Sequence, residues 1–155
     1  MRLWLLRHGQ AGPYVRVGDA ARELTEQGRF EVLSAAIHLR GEPLDVILSS
    51  PYTRAQQTAA LVHSHLDDAP PLVTMNSITP DDSPLHALAQ LATREEANVL
   101  VVSHQPLLGL LAGLLVHGHL QEPVPFDTAS LALLEGDLLL AGGMNLSALY
   151  HVSNF

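Results

Sequence analysis

Three short apolar runs in this chain end on polar residues of one chemical kind. Residues 3–6 lead into Arg7 and His8, residues 44–48 are followed by a Ser-Ser-Pro segment and Arg54, and residues 99–102 lead into Ser103 and His104. Such runs are typical of strands buried on both faces of a parallel sheet. Ligands of such sheets bind outside the carboxyl ends of the strands. We therefore expect Arg7, His8, Arg54 and His104 to share one opening.

The rest of the chain alternates between helical and strand-like segments. Residues 9–23 are expected to form a loop, and Thr25 to cap a helix that turns Phe30, Leu33, Ile37 and Val32 inward and ends near residue 39. Further helices are predicted over 51–66, 84–96 and 106–117, a short strand over 72–75, and partly antiparallel sheet over 130–135, 137–140 and 145–152. This order predicts an α/β fold, a three-layer α/β/α sandwich around a mostly parallel sheet.

Length and composition favour a small cytoplasmic protein. A length of 155 residues predicts a single domain over 1–155. The first strand starts too early to leave room for a signal peptide, and the longest apolar stretch, 107–116, is too short to cross a membrane. The chain has no cysteine, so it requires no oxidising compartment.

Charge narrows the range of partners. The net charge of −8 disfavours nucleic acid and anionic membranes as partners. All eight basic residues are arginines, so any bound phosphate would be held by guanidinium groups. Two guanidiniums and two imidazoles at one opening would form an anion site that contains a nucleophile, which is typical of an enzyme acting on phosphate.

Three motifs resemble those of the histidine phosphatase superfamily, which has the phosphoglycerate-mutase-like fold. They are Arg-His-Gly at residues 7–9, Ser-Pro-x-x-Arg-Ala-x-x-Thr-Ala at 50–59 and Ser-His at 103–104. Segments 22–28, 78–80, 103–109 and 126–130 resemble the small phosphohistidine phosphatases of the SixA type within that family. The resemblance covers residues 3–134 and implies a metal-independent phosphatase.

The chemistry of these residues suggests a role for each of them. His8 is the expected nucleophile, forming a phosphohistidine intermediate. Arg7 and Arg54 would clamp the phosphoryl oxygens, and His104 would be a further donor, most effective when protonated. The backbone N–H of Gln105 is another candidate ligand. Gly9 would let its loop pass close to the anion.

Arg22 and the remaining histidines allow more than one interpretation. Arg22 stands in the family's Arg-x-Leu-Thr element, so it is a candidate substrate ligand, with a structural ion pair as the alternative. The other histidines are expected on the surface, because no third ligand accompanies the His-Gly-His pair at 117–119. No metal or cofactor is expected.

The segment after the third strand lacks the Glu that larger relatives use as general acid. Residues 77–83 offer only Asp81 and Asp82. Phosphohistidine needs little acid assistance, because its leaving group is a readily protonated nitrogen base. We therefore predict a phosphatase acting on phosphohistidine in a signalling or phosphotransfer protein. The alternatives are a small-molecule phosphomonoesterase acting on a sugar phosphate or similar ester, and a non-catalytic phosphate-binding module. The part played by Gln10, where an acidic residue is common, is left open.

Overall fold

The computed structural model describes residues 1–13 and 18–152. Residues 14–17 of the predicted loop 9–23 lie outside the described part of the chain. The strands are β1 (Arg2–Arg7), β2 (Val46–Ser49), β3 (Leu72–Thr74), β4 (Asn98–Ser103), β5 (Leu131–Glu135) and β6 (Asn145–Tyr150). The α-helices are α1 (Glu26–Ala36), α2 (Thr53–Ser64), α3 (Pro84–Leu91) and α4 (Leu107–His117), with short 3-10 helices at Asp19–Ala21 and Ile37–Leu39.

The six strands form one mixed sheet in the order β3-β2-β4-β1-β5-β6. The first four strands in this order are parallel, whereas β5 and β6 are antiparallel to their neighbours. Because β2, β4 and β1 run side by side in one direction, their carboxyl ends meet at the same edge. This is the predicted α/β fold with a mostly parallel central sheet.

Apolar side chains bury both faces of the sheet. On one face, residues of α3 and α4 pack against Leu3, Leu5 and Val101. On the other face, residues of α1 and α2 pack against Trp4, Leu6 and Leu100. Neighbouring residues of β1 point to opposite faces of the sheet, so the continuous apolar run at 3–6 serves both layers.

The predicted inward face is wrong for two residues, one in α1 and one in the 3-10 helix that follows it. Phe30 and Ile37 are 62% and 59% exposed, while Val32 is fully buried as expected. The helix packs instead through small residues, because a Cβ at Gly28 would collide with the backbone of Gln10. Glu31 is also on the buried face, where its carboxylate accepts the Gln10 N–H at 2.8 Å.

Two predicted elements differ in extent. Residues 137–140 form an irregular bend rather than a strand, with the Leu140 N–H bonded to the Leu138 carbonyl at 3.2 Å and Leu138 64% exposed. Helix α3 ends at Leu91 instead of near 96, and the Thr93 hydroxyl donates to the Gln90 carbonyl at 2.7 Å. Such side-chain bonds compete with the helical backbone. None of the described helices is long and apolar enough to span a membrane.

Candidate active site

The candidate site lies where β1, β2 and β4 end. The His8 N–H donates to the Ser103 carbonyl at 3.1 Å, and the Ser50 N–H donates to the Val102 carbonyl at 3.0 Å. These bonds continue the sheet ladder one residue beyond the strands. The structure thereby brings His8, Ser50 and His104 together at one edge, and α2 adds Arg54 from its first turn.

The hydrogen bonds of His8 define its tautomer. Nδ1 lies 2.6 Å from the Gly9 carbonyl, which can only accept, so Nδ1 carries the proton. The Nε–H of Arg54 donates to Nε2 at 3.2 Å, so Nε2 presents its lone pair. Burial, together with the charges of Arg54 and Arg7, lowers the pKa of His8 to about 4. His8 is therefore a neutral imidazole near neutral pH.

Gly9 is required for the packing of its loop against α1, while its predicted role in the approach of an anion stays a prediction. A Cβ at this position would lie 3.0 Å from Val32 and collide with the Gly28 carbonyl. The His8–Gly9 segment thus contacts α1 directly, which fixes the carbonyl that holds the His8 ring.

His104 lies beside His8, with the two ring centroids 5.0 Å apart and the ring planes at 62°. Its Nε2 is hydrogen-bonded to the Ser50 hydroxyl at 2.7 Å, and its buried Nδ1 has no partner among the described residues. Burial is the main cause that lowers the pKa of His104 to about 3, with His8 and Arg54 adding to it. His104 is therefore neutral near neutral pH, and a bound phosphate dianion would favour its protonated form.

Arg54 is buried and held on several sides. Besides the bond from its Nε to His8, its Nη1 donates to the Asp19 carbonyl at 2.7 Å and its Nη2 to Asp19 Oδ2 at 3.1 Å. Its guanidinium carbon lies 5.1 Å from the ring centre of Tyr52, which also contacts His104 edge-on.

Arg7 is held by a turn that precedes β5. Its Nη1 donates to the Phe126 carbonyl at 2.9 Å, while its buried Nε has no partner among the described residues. Burial lowers the pKa of Arg7 from its usual range. In the same turn, the Ala129 N–H donates to the His8 carbonyl at 3.0 Å. Three buried side-chain polar atoms have no partner among the described residues: Arg7 Nε and His104 Nδ1 belong to the candidate site, and Trp4 Nε1 lies in the core.

Arg22 and the side chain of Gln105 have intramolecular partners, whereas the ligand predicted at Gln105 is its backbone N–H. Arg22 donates through Nε to the Gly12 carbonyl at 2.7 Å and through Nη1 to Asp19 at 2.8 Å. The Gln105 side chain accepts the Gly109 N–H at 2.7 Å. The roles of Arg22 and Gln105 as substrate ligands stay predictions.

The carboxylate of Asp82 is also engaged. Its Oδ2 accepts both the N–H and the hydroxyl of Thr79, at 2.7 and 2.6 Å, and so closes a local turn.

Gln10 is exposed, and its side-chain oxygen accepts the Thr25 hydroxyl at 2.8 Å.

No group of three His, Asp or Glu side chains within residues 1–13 and 18–152 is arranged to bind a metal. His117 and His119 lie 3.7 and 3.9 Å from Glu122, as surface ion-pair partners when they are protonated.

Sequence reasoning missed three residues of the site: Asp19, Ser50 and Tyr52. Ser50 and Tyr52 belong to the Ser-Pro-x-x-Arg motif, so their place beside Arg54 was a usable signal. Asp19 gave no comparable signal, because it lies in a short 3-10 helix 35 residues from the arginine that it contacts.

Comparison with known proteins identifies the family. The model of the histidine phosphatase superfamily (branch 1) matches residues 3–77. The chain is 34% identical over 137 residues to phosphohistidine phosphatase SixA of Escherichia coli, covering 85% of this chain and 83% of that protein. It is 32% identical over 149 residues to a SixA homolog of Haemophilus influenzae, covering 88% and 89% of the two chains.

Solved structures agree with this assignment. A protein histidine phosphatase SixA complexed with tungstate superposes with a TM-score of 0.85 at 29% identity, over 97% of both chains. A shorter match is to the adenosylcobalamin/alpha-ribazole phosphatase of Salmonella typhimurium. It is 43% identical over 67 residues and covers 40% of this chain and 32% of that protein. The fold, the three motifs and these relatives together show that the chain belongs to the histidine phosphatase superfamily and is a homologue of its SixA members.

Proposed function

We propose that this protein hydrolyses phosphohistidine on a signalling or phosphotransfer protein, and that His8 is the nucleophile. One observation carries the mechanism. The Nε2 lone pair of His8 faces Arg54, while Nδ1 is fixed by the Gly9 carbonyl. A neutral imidazole held in one tautomer beside a guanidinium is poised to attack a phosphoryl group.

The proposed reaction has two steps. When the phosphoryl group binds, the Arg54 Nε–H would shift from His8 Nε2 to a phosphoryl oxygen and release the lone pair. The bond from Nε2 to phosphorus forms as the bond to the substrate's imidazole nitrogen breaks, and that nitrogen takes a proton from solvent. Water then attacks phosphorus, the bond to Nε2 breaks, and inorganic phosphate leaves. His8 returns to its starting tautomer.

The positive groups of the site would stabilise the charge of this transition state. Arg7 Nε and His104 Nδ1 are buried and lack partners among the described residues, which supports roles for both side chains as ligands of phosphoryl oxygens. Because these arginines already bring the charge that a metal ion would supply, we propose that no metal or cofactor takes part.

The choice of substrate rests on the missing acid. Asp82 is bound to Thr79 within its own turn, and no Glu occurs in residues 77–83. Without a strong acid, the rate should depend on how easily the leaving group departs, which favours imidazole over an alkoxide. The likeness to SixA phosphohistidine phosphatases supports the same substrate. We propose that the protein acts in the cytoplasm.

The second candidate is a phosphomonoesterase that acts on a small ester. The match to the alpha-ribazole phosphatase of Salmonella typhimurium over 67 residues favours it, since that segment includes a substantial part of the chain. In this candidate Asp81 or Asp82 would have to serve as the acid.

Relative rates separate the two candidates. We would measure kcat/KM for a histidine-phosphorylated phosphotransfer domain, p-nitrophenyl phosphate and a sugar phosphate, with His8→Ala as the blank. We expect the phosphoprotein to be hydrolysed fastest and the sugar phosphate slowest. If the sugar phosphate is preferred, and Asp82→Asn abolishes its hydrolysis, the small-molecule candidate takes the place of the first.

A further inference from the structure

Asp19 connects two arginines beside the candidate nucleophile. Its Oδ1 accepts from Arg22 at 2.8 Å and its Oδ2 from Arg54 at 3.1 Å, so each carboxylate oxygen binds one guanidinium. Its backbone carbonyl accepts a second bond from Arg54, at 2.7 Å. One residue thus grips the Arg54 guanidinium at both terminal nitrogens.

The charge of Asp19 excludes two simpler roles. Hydrogen bonds from Arg22 and Arg54 lower the pKa of Asp19 below its usual range, and the bond from Arg22 has the larger effect. The carboxylate is therefore ionised, so it cannot act as the missing general acid. An ionised carboxylate is also unsuited to bind a phosphoryl oxygen directly.

Arg54 needs the partner that Asp19 provides. The Arg54 side chain is only 5% exposed, and Asp19 is the one carboxylate within 4.0 Å of it among the described residues. A buried guanidinium without a counter-charge is costly, and the two bonds to Asp19 restrict the orientations that Arg54 can take. Within the described residues, three of the five N–H groups of Arg54 are bonded, one to His8 and two to Asp19, and the other two are available to a ligand.

We propose that Asp19 is a positioning residue that fixes Arg54 in the orientation from which it contacts both His8 and the phosphoryl group. The inference rests on the proposed role of Arg54 in binding phosphate, but not on the identity of the leaving group. Arg22 contributes to the same arrangement by holding the other oxygen of Asp19. Small errors in the placement of such a group cost large factors in rate.

A double-mutant cycle with p-nitrophenyl phosphate tests the proposal. We expect Asp19→Ala to lower kcat/KM by at least about tenfold. Asp19→Asn should lose less, because an amide oxygen can still accept from Arg54 but carries no charge. In an Arg54→Lys background, Asp19→Ala should change kcat/KM by less than about twofold, because its effect passes through the arginine.

Glu96→Gln is the matched control. It removes another Arg–carboxylate pair, with Arg94 at 2.8 Å, whose acceptor side chain is similarly exposed, and should leave kcat/KM unchanged. If Asp19→Ala acts with its full factor in the Arg54→Lys background, Asp19 has only a structural role and the proposal fails. If Asp19→Ala does not fold, Asp19→Asn decides: a kcat/KM equal to that of Glu96→Gln overturns the proposal. If Arg54→Lys itself keeps full activity, the proposed role of Arg54 is wrong instead.

Discussion

The Nδ1 atom of His8 lies 2.6 Å from the carbonyl oxygen of Gly9, the next residue in the chain. Because a carbonyl cannot donate, this contact places the imidazole proton on Nδ1 and leaves the lone pair on Nε2. Gly9 is itself held against α1, where any larger residue would collide with Gly28. The packing of a helix therefore determines which nitrogen of the candidate nucleophile faces Arg54.

The first prediction concerns the covalent intermediate. Rapid quenching during turnover of a labelled substrate should trap an acid-labile, alkali-stable phosphoryl group on His8. His8→Ala should lose this label and lower kcat by at least about a thousandfold, since it removes the nucleophile. Label on a serine, or full activity of His8→Ala, would falsify this mechanism. His63→Ala, which changes a histidine outside the site, should behave as the wild type.

The second prediction concerns pH. His8 attacks as the neutral form, and its pKa is lowered to about 4 from the usual 6.5, so the free enzyme stays competent as pH falls through 6.5. Activity is lost only as pH falls through the lowered value. The acid limb of kcat/KM, which reports the free enzyme, should therefore lie near pH 4. The measurement needs an acid-stable monoester whose own ionisation is corrected for. An acid limb near 6.5 would contradict a buried neutral His8.

The third prediction tests the missing general acid. Asp82→Asn and Asp81→Asn should each change the hydrolysis of phosphohistidine by less than tenfold, which is under about 1.4 kcal/mol of barrier. The physical reason is that the imidazole leaving group is protonated without their help, while Asp82 is occupied by Thr79. Steady-state rates on a phosphorylated phosphotransfer domain give the answer. A loss of a hundredfold or more in either variant would assign that carboxylate to proton transfer.

The fourth prediction concerns metal ions and oxyanions. Activity should survive exhaustive treatment with EDTA, because Arg7 and Arg54 supply the positive charge of the site. Tungstate, vanadate and phosphate should inhibit competitively by occupying the position of the phosphoryl group. Assays before and after chelation, with zinc or magnesium added back, check this. Activity that disappears with EDTA and returns with either metal would show that the site requires an ion.

The fifth prediction compares the two faces of α1. Val32→Ala should lower the free energy of unfolding by about 1–3 kcal/mol, because Val32 is fully buried. Phe30→Ala should change it by less than about 0.5 kcal/mol, because Phe30 is 62% exposed. Urea denaturation of both variants measures the difference. A larger loss in Phe30→Ala than in Val32→Ala would mean that the helix packs through the face first predicted from the sequence.

The error over α1 shows a limit of periodicity as a guide. Phe30, Leu33 and Ile37 recur at helical spacing, which ordinarily marks a core-facing stripe. Val32 is buried as predicted, but the other apolar residues on the packed face are Gly28, Ala35 and Ala36. Small residues permit close contact with the Gln10 backbone, and this advantage depends on a segment far away in the chain. The hydropathy pattern of the helix alone therefore does not predict this contact.

Local sequence was enough to predict the parallel strands and the polar residues that end them. A short apolar run rich in Val, Ile and Leu is typical of a strand that is buried on both faces of a sheet, and the direction of the chain then determines which end carries Arg7, His8 and His104. The proposed single domain over 1–155 and the substrate roles of Arg22 and Gln105 stay predictions. The pairing of Asp19 with Arg54 and the contact of Arg54 with His8 Nε2 followed from contacts between distant segments. The engagement of Asp82 by Thr79 and the proton position on His8 depend on local backbone geometry that the residue types alone did not reveal. Burial and hydrogen-bond partners set the charge and the tautomer of the ionisable side chains in the site. The burial and the distant partners arise only when the sheet and its helices have packed together.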